Sequence, residues 1–126
     1  MTDGDTITAI VDGRQIKVRL NGIDAPEIKQ AFGNVSKQAL SGLVFGKRVS
    51  LVDRGKDRYG RTIGEVCTPD GRRVEVVMVS QGMALHYVKY APRDTGLAGA
   101  EVAGRKARRG LWVDSAPVPP WEFRKR

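Results

Sequence analysis

The sequence contains few of the residues on which several common classes of hydrolase depend. It has one cysteine, Cys67, and one histidine, His86, among 126 residues. A single cysteine excludes an internal disulfide bond, and the alternating apolar run around Cys67 predicts a small buried hydrophobe. One histidine without partner cysteines excludes a His-based catalytic triad and the usual zinc sites, so we interpret His86 as a structural residue.

Long apolar runs are also missing. No stretch approaches the ~20 apolar residues that a membrane-spanning helix requires. The first five residues, Met-Thr-Asp-Gly-Asp, are polar and lack the apolar core of a secretory signal. We therefore expect a protein that does not associate with a membrane.

The charge balance is strongly basic. Lysine and arginine number 22 against 14 aspartate and glutamate residues, which gives a net charge of +8. Such an excess favours polyanionic partners, because counterions are released when basic side chains neutralise phosphates. Nucleic acid is the leading hypothesis and an anionic membrane surface a distant second. Lysines and arginines that only solvate the surface are the remaining alternative.

The length suits one domain, and we expect residues 1–126 to form it. Two alternating apolar runs, residues 7–11 and 16–20, flank Asp12-Gly13, a pattern typical of a β-hairpin. We predict further strands at 47–53 and 62–68, separated by a polar loop, and an extended segment at 84–90.

Two helices are predicted from apolar spacing and end signals, one at 35–45 with Ser36 as its N-cap and one at 95–109 with Thr95 as its N-cap. Residues 74–79 are ambiguous, because four valines favour a strand whereas Gln81-Gly82 suits a helix end. Short strands with a central helix and a helical C-terminal end indicate a β-barrel with appended helices.

The hairpin brings acidic residues together. A turn centred on Asp12-Gly13 predicts cross-strand partners whose numbers add to about 25. Asp5 then lies at the open end of the hairpin, near the loop that carries Asp24 and Glu27, and Arg19 points away from the buried face. Carboxylates with an arginine and no histidine suit a hard cation and phosphoryl transfer. A surface ion-pair network beside a turn explains the spacing equally well.

Three motifs resemble signatures of the staphylococcal nuclease family. Asp3-Gly4-Asp5-Thr6 with residues 18–27 is similar to its opening signature, residues 57–61 to its second, and Gly110-Leu111-Trp112 with Pro119-Pro120-Trp121 to its closing segments. Three such motifs, in the order found in the family and spread over nearly the whole chain, are a specific signal for this family. The resemblance implies an α+β, mainly β fold, a five-stranded OB-fold barrel with about three helices. Part of the first strand is either absent or supplied from elsewhere. A short helix is implied at 75–81.

The resemblance also implies a calcium site and a general base. Asp5 and Asp24 match the family's calcium-binding carboxylates, and the main-chain carbonyl of Ala25 matches a further ligand. Glu27 matches the carboxylate to which activation of the attacking water is usually assigned.

Phosphate and nucleotide contacts are implied in the same way. Arg19 and Arg61 match the two arginines that hold the scissile phosphate, for which a planar guanidinium fork is suited. Tyr59 and Tyr87 match tyrosines near the bound nucleotide, where a base can stack on the ring.

The implied activity is calcium-dependent hydrolysis of phosphodiester bonds in DNA and RNA, leaving 3′-phosphate and 5′-hydroxyl ends. The resemblance implies a monomer that is secreted or periplasmic, although the sequence itself does not show a location. The alternative is a nuclease-like or OB-fold module that binds nucleic acid or peptides without catalysis. Retention of Arg19, Asp24, Glu27 and Arg61 favours the enzyme.

Overall fold

The structure, a computed structural model, describes residues 3–125. Its first feature is the predicted hairpin, in which β1 (Thr6–Val11) pairs with β2 (Arg14–Leu20). Asp12 and Gly13 both have positive φ, at 51° and 78°, as a tight two-residue hairpin turn requires. Thr6 pairs with Arg19, and the numbers of every pair in the ladder add to 25. The predicted register is therefore confirmed.

The hairpin belongs to a four-stranded sheet. The remaining strands are β3 Ile23–Asp24, β4 Ser50–Lys56, β5 Thr62–Cys67 and β6 Leu85–His86. The order in the sheet is β1-β2-β5-β4, where β5 is parallel to β2 and antiparallel to β4. A separate ladder joins β3 antiparallel to β6.

The expectation of a closed five-stranded barrel is wrong for the described residues. Each strand of a barrel needs two neighbours, but β1 and β4 are the two edges of the sheet and no ladder joins them within residues 3–125. All six residues of β1 pair with β2. Ile10 on β1 and Val52 on β4 accordingly remain exposed. The mainly β architecture is consistent with an OB-fold, but the sheet is open.

Four α-helices appear in the described chain where about three were expected. They are α1 Gly33–Val44, α2 Val74–Ser80, α3 Thr95–Lys106 and the short α4 Pro120–Phe123, with a 3-10 turn at Gly110–Val113. No helix among the described residues has the length and apolar character needed to cross a bilayer.

Both predicted N-caps are wrong. Ser36 lies inside α1, where its hydroxyl is buried and donates to the carbonyl of Met83 at 2.6 Å. Asp94, one residue before Thr95, caps α3 by accepting a hydrogen bond from the amide of Leu97. A carboxylate one residue earlier outcompetes the threonine because its oxygen reaches the third amide of the helix.

Several element bounds also differ from the expectations. β4 continues to Lys56 through a bulge after Asp53, so the first three residues of the predicted polar loop, 54–56, are strand. Only Leu85 and His86 form a strand in the segment predicted to be extended. Cys67 is half-buried rather than buried.

The valine-rich segment forms helix α2. The resemblance implied this helix, whereas the propensity of valine favoured a strand. Its buried face presents Val74, Met78 and Val79 to a core shared with Leu40 of α1 and Leu97 of α3. Burial of this face outweighs the small helix cost of the valines.

Glu75, the second residue of α2, is a fully buried carboxylic acid. Its Oε2 accepts from the amide of Val66 at 2.8 Å, while Oε1 has no partner among the described residues. Burial raises its pKa from 4.5 to about 7. Below pH 4.5 the folded and unfolded chains both carry the proton. As the pH rises towards 7 only the unfolded chain loses it, so stability falls.

We predict that Glu75→Gln removes this loss, because glutamine keeps an acceptor for Val66 and never ionises. The free energy of unfolding of the variant should exceed that of the parent by about 1–3 kcal/mol at about pH 8, at ~1.4 kcal/mol per pKa unit. Urea unfolding of both proteins at several pH values measures the difference. A difference that does not grow with pH would contradict the assignment.

Candidate phosphodiesterase site

The end of the hairpin brings two buried carboxylates together. The amide of Leu20 donates to the carbonyl of Asp5 at 2.8 Å, which sets Asp5 beside the end of β2. Asp24 ends β3 a few residues later. Asp5 and Asp24 are 4% and 0% exposed. The amide of Ala25 also donates to Asp5 Oδ2 at 2.8 Å.

Arg19 lies between these carboxylates. Its Nη2 is 3.6 Å from Asp5 Oδ2 and 3.6 Å from Asp24 Oδ1. The same side chain donates to the carbonyls of Leu20 and Ile23, both at 2.8 Å. Two main-chain hydrogen bonds therefore fix the guanidinium, which points away from the face buried by Leu20, as the strand alternation predicts.

Asp3 adds a third acid to the cluster. It accepts a hydrogen bond from the amide of Asp5 at 3.1 Å. Burial, together with the neighbouring Asp5, raises the pKa of Asp3 to about 7. Burial also acts to raise the pKa of Asp5, but Arg19 and hydrogen bonds from Asp3, Ala25 and Thr6 bring it below its usual value. Asp5 is therefore the member of this pair that loses its proton first as the pH rises.

An arginine from the C-terminal end of the chain also contacts the cluster. Arg124 donates from Nη2 to Asp24 Oδ2 at 2.6 Å and from Nη1 to Asp24 Oδ1 at 3.0 Å. Its Nη1 also donates to Glu27 Oε1 at 2.9 Å. Burial raises the pKa of Asp24, although the hydrogen bonds from Arg124 oppose that rise. The bond to Asp24 in turn raises the pKa of Arg124 above its usual range.

The loop between β4 and β5 supplies Arg61. Asp57 organises this loop, because its Oδ1 accepts from the amides of Tyr59 and Arg61, both at 2.9 Å. Its Oδ2 accepts from Arg61 Nε at 2.7 Å. This contact uses Nε and leaves both terminal nitrogens of Arg61 without a hydrogen bond among the described residues.

A cavity of about 800 Å³ unites the predicted residues. Every predicted site residue except Ala25 lines it, namely Asp5, Arg19, Asp24, Glu27, Tyr59, Arg61 and Tyr87. Ala25 lies beside it as a buried residue next to Asp24. The sequence-predicted set is therefore brought to one place, whereas the role of each residue remains a prediction.

Other side chains contact the rings of both tyrosines at the rim. Tyr59 is 70% exposed, and the guanidinium carbons of Arg58 and Arg61 lie 5.1 and 5.6 Å from its ring centre. Tyr87 stacks on Trp121 with ring centres 4.7 Å apart, and the rings of Tyr87 and Tyr90 meet edge to face at 4.8 Å. A base that stacks on Tyr87 in the manner of Trp121 would compete with this packing.

The oxygen atoms of the predicted ligands are of the type that a hard divalent cation prefers. Carboxylate and carbonyl oxygens are the preferred ligands of Ca²⁺. No three His, Cys, Asp or Glu side chains within residues 3–125 are grouped closely enough to enclose a metal ion. The expected set requires only the carboxylates of Asp5 and Asp24 with one main-chain carbonyl. The carboxylates of Asp24 and Glu27 already bind a cationic group, the guanidinium of Arg124, so the location attracts positive charge.

Sequence reasoning missed Asp57 and Arg124. The only signal for Asp57 was its position within the second motif. Arg124 lies 97 and 100 residues from its partners, so no local pattern pointed to it. His86 is buried, and its Nε2 lies 2.7 Å from the carbonyl of Ala91, which agrees with a structural role.

Similarity to known proteins identifies the family. Residues 17–114 match the staphylococcal nuclease homologue family. This range includes six of the predicted residues that line the cavity, while Asp5 precedes it. The chain belongs to the staphylococcal nuclease homologue family, and several of its relatives are named as nucleases or endonucleases.

The chain is 43% identical over 124 residues to an uncharacterized endonuclease of Escherichia coli O157:H7, covering 98% of this chain and 80% of that protein. It is 40% identical over 132 residues to a micrococcal nuclease of Shigella flexneri, covering 98% and 76%. It is also 40% identical over 112 residues to the staphylococcal-like nuclease CAN1 of Arabidopsis thaliana, covering 89% and 34%.

The loop geometry predicts that Asp57→Ala lowers kcat/KM for DNA digestion about tenfold. That factor corresponds to ~1.4 kcal/mol, the size of one charge-assisted hydrogen bond lost from the loop that carries Arg61. Initial rates on denatured DNA measure it. Asp70→Ala is the matched control, since Asp70 also pairs with an arginine, Arg72, but does not line the cavity. Equal rates for the two variants would contradict a positioning role for Asp57.

Proposed function

We propose that this protein is a calcium-dependent, sugar-nonspecific nuclease that hydrolyses phosphodiester bonds of DNA and RNA, leaving 3′-phosphate and 5′-hydroxyl ends. The observation that carries the proposal is that Arg19, Glu27 and Arg61 line one cavity together with buried Asp5 and Asp24. Two guanidinium groups and a carboxylate around one space suit in-line attack by water on a phosphodiester.

Glu27 is the proposed general base. It is half-buried at the cavity wall, so one face of its carboxylate can accept a proton from a water molecule. Arg19 and Arg61 are proposed to donate hydrogen bonds to the non-bridging phosphate oxygens. Their geometry suits this role, because Leu20, Ile23 and Asp57 hold the guanidinium groups before any substrate arrives.

Asp5, Asp24 and the carbonyl of Ala25 are the proposed ligands of Ca²⁺, which supplies positive charge against the charge that develops on the phosphate. The proposed substrates follow from the same groups. Guanidinium groups bind phosphate, which DNA and RNA share, and tyrosine rings such as those of Tyr59 and Tyr87 can stack with any base. The net charge of +8 favours association with such polyanions.

Digestion of denatured DNA and of RNA with Ca²⁺, Mg²⁺ or chelator tests the proposal. We expect cleavage of both substrates with Ca²⁺, none with chelator, and products that polynucleotide kinase labels at the 5′ end without prior phosphatase treatment. Salt-sensitive binding without cleavage by folded protein would instead favour the non-catalytic binding module. Cleavage independent of divalent cations would refute the calcium site.

We predict that Glu27→Gln lowers kcat by a factor of about 10²–10⁴, the usual contribution of a general base, because the amide keeps the shape but accepts no proton. Binding of an oligonucleotide should persist, as fluorescence anisotropy can show. Glu65→Gln serves as the control, since Glu65 pairs with Arg54 and does not line the cavity. Turnover of Glu27→Gln equal to that of this control would remove Glu27 from the mechanism.

A further inference from the structure

The C-terminal end of the described chain lies across the predicted site. We call residues 117–125 the closing segment; they follow the range 17–114 that matches the nuclease family. Gln30 Nε2 donates to the carbonyl of Val118 at 2.7 Å, and Trp121 stacks on Tyr87. Arg124 then reaches Asp24 and Glu27. The segment is therefore attached at three separate points around the cavity.

The hydrogen bonds of Arg124 differ from those of Arg19 and Arg61 in the groups that accept them. Arg19 donates to main-chain carbonyls, and Arg61 donates to Asp57, which is not among the predicted metal ligands. Arg124 donates, within residues 3–125, only to Asp24 and Glu27. A cation that binds Asp24 therefore leaves these hydrogen bonds of Arg19 and Arg61 in place but competes with both hydrogen bonds from Arg124 to Asp24.

The closing segment also covers an aromatic group of the site. The indole of Trp121 lies nearly parallel to the ring of Tyr87, with 19° between the ring planes. A nucleotide base stacks on tyrosine in the same manner. The segment thus presents a guanidinium to the carboxylates predicted for the metal site and an indole to the tyrosine predicted for a base.

We propose that Arg124 is a further residue of the metal site, which competes with the divalent cation for Asp24, so that calcium binding and docking of the closing segment oppose each other. The inference rests on the proposed function, because it takes Asp24 as a calcium ligand. Both Asp24 oxygens are occupied by Arg124, at 2.6 and 3.0 Å. By linkage, a group that lowers calcium affinity must itself be weakened by calcium to the same extent.

The first test is calcium affinity, measured by isothermal titration calorimetry on the full chain without nucleic acid. Removal of the competing guanidinium in Arg124→Gln should lower the Kd for Ca²⁺ at least about tenfold, if the segment is docked in roughly nine of ten molecules. Arg124→Lys should give a smaller change, because a point charge replaces the two-nitrogen fork. Circular dichroism verifies that each variant is folded.

Lys125→Gln is the matched control. It removes the same charge from the adjacent residue, but the side chain of Lys125 is 73% exposed and its ion pair is with Glu122. An exposed charge beyond the site is screened by salt, so the Kd should change little. An arginine that only anchors the C-terminus would leave the Kd of Arg124→Gln unchanged or raise it, and either result overturns the proposal.

The second test follows the segment itself. Trp121 and the buried Trp112 are the two tryptophans of the chain. Calcium should change the emission of the parent protein as Trp121 leaves Tyr87, and Trp121→Phe should abolish the change. Emission unaffected by saturating calcium would overturn the proposed opposition. If the parent protein fails to bind calcium or to cut nucleic acid, the proposed function is refuted as well. If the protein is a calcium-dependent nuclease but its affinity for calcium is the same with and without Arg124, only this inference is refuted.

Discussion

Two carboxylates buried at one end of the sheet impose the constraint on which the rest of the site depends. Asp5 and Asp24 are almost fully shielded from water. A buried carboxylate is stable in its charged form only when cations and hydrogen-bond donors surround it. Arg19, the amide of Ala25 and Arg124 provide this environment from three different parts of the chain. In the absence of another bound cation, the hairpin, the loop after β3 and the closing segment therefore each contribute to stabilising the charged form of the cluster.

Sequence reasoning was most successful where local geometry decides the outcome. The Asp12-Gly13 turn and two alternating runs fix the register of β1 and β2, because a shift by one residue would turn every apolar side chain to the other face. That register brings Asp5 and Arg19 together. The spacing of the residues alone did not distinguish a surface ion-pair network from a phosphate site, since both use the same residue types. The resemblance to the nuclease family favoured the phosphate site. It also identified α2 as a helix, against the propensity of its valines.

The features that the sequence did not predict depend on contacts between residues far apart in the chain, or on which of two adjacent residues caps a helix. Closure of a barrel depends on whether two edge strands meet, and the alternation within β1 or β4 contains no information about that. The N-cap of α3 is Asp94 rather than the adjacent Thr95. Arg124 could not be predicted, because a surface arginine near a terminus has no local feature that identifies its partners, here 100 residues away. The effect of the C-terminal segment on the site depends on that one side chain.

The anchoring of the charged groups bears on selectivity under the proposed function. The main chain fixes Arg19, and Asp57 fixes Arg61 within a loop that the same carboxylate organises, so both cations are positioned before substrate binds. Such preorganised guanidinium groups recognise the geometry of a phosphate, which is the same at every nucleotide. The rings of Tyr59 and Tyr87 lie at the rim and already contact protein groups. Stacking of a base on such a ring contributes affinity without distinguishing one base from another. The same arrangement that stabilises charge at the cavity wall therefore favours cleavage wherever the backbone can enter, and access of the strand rather than its base sequence becomes the main determinant of where it is cut.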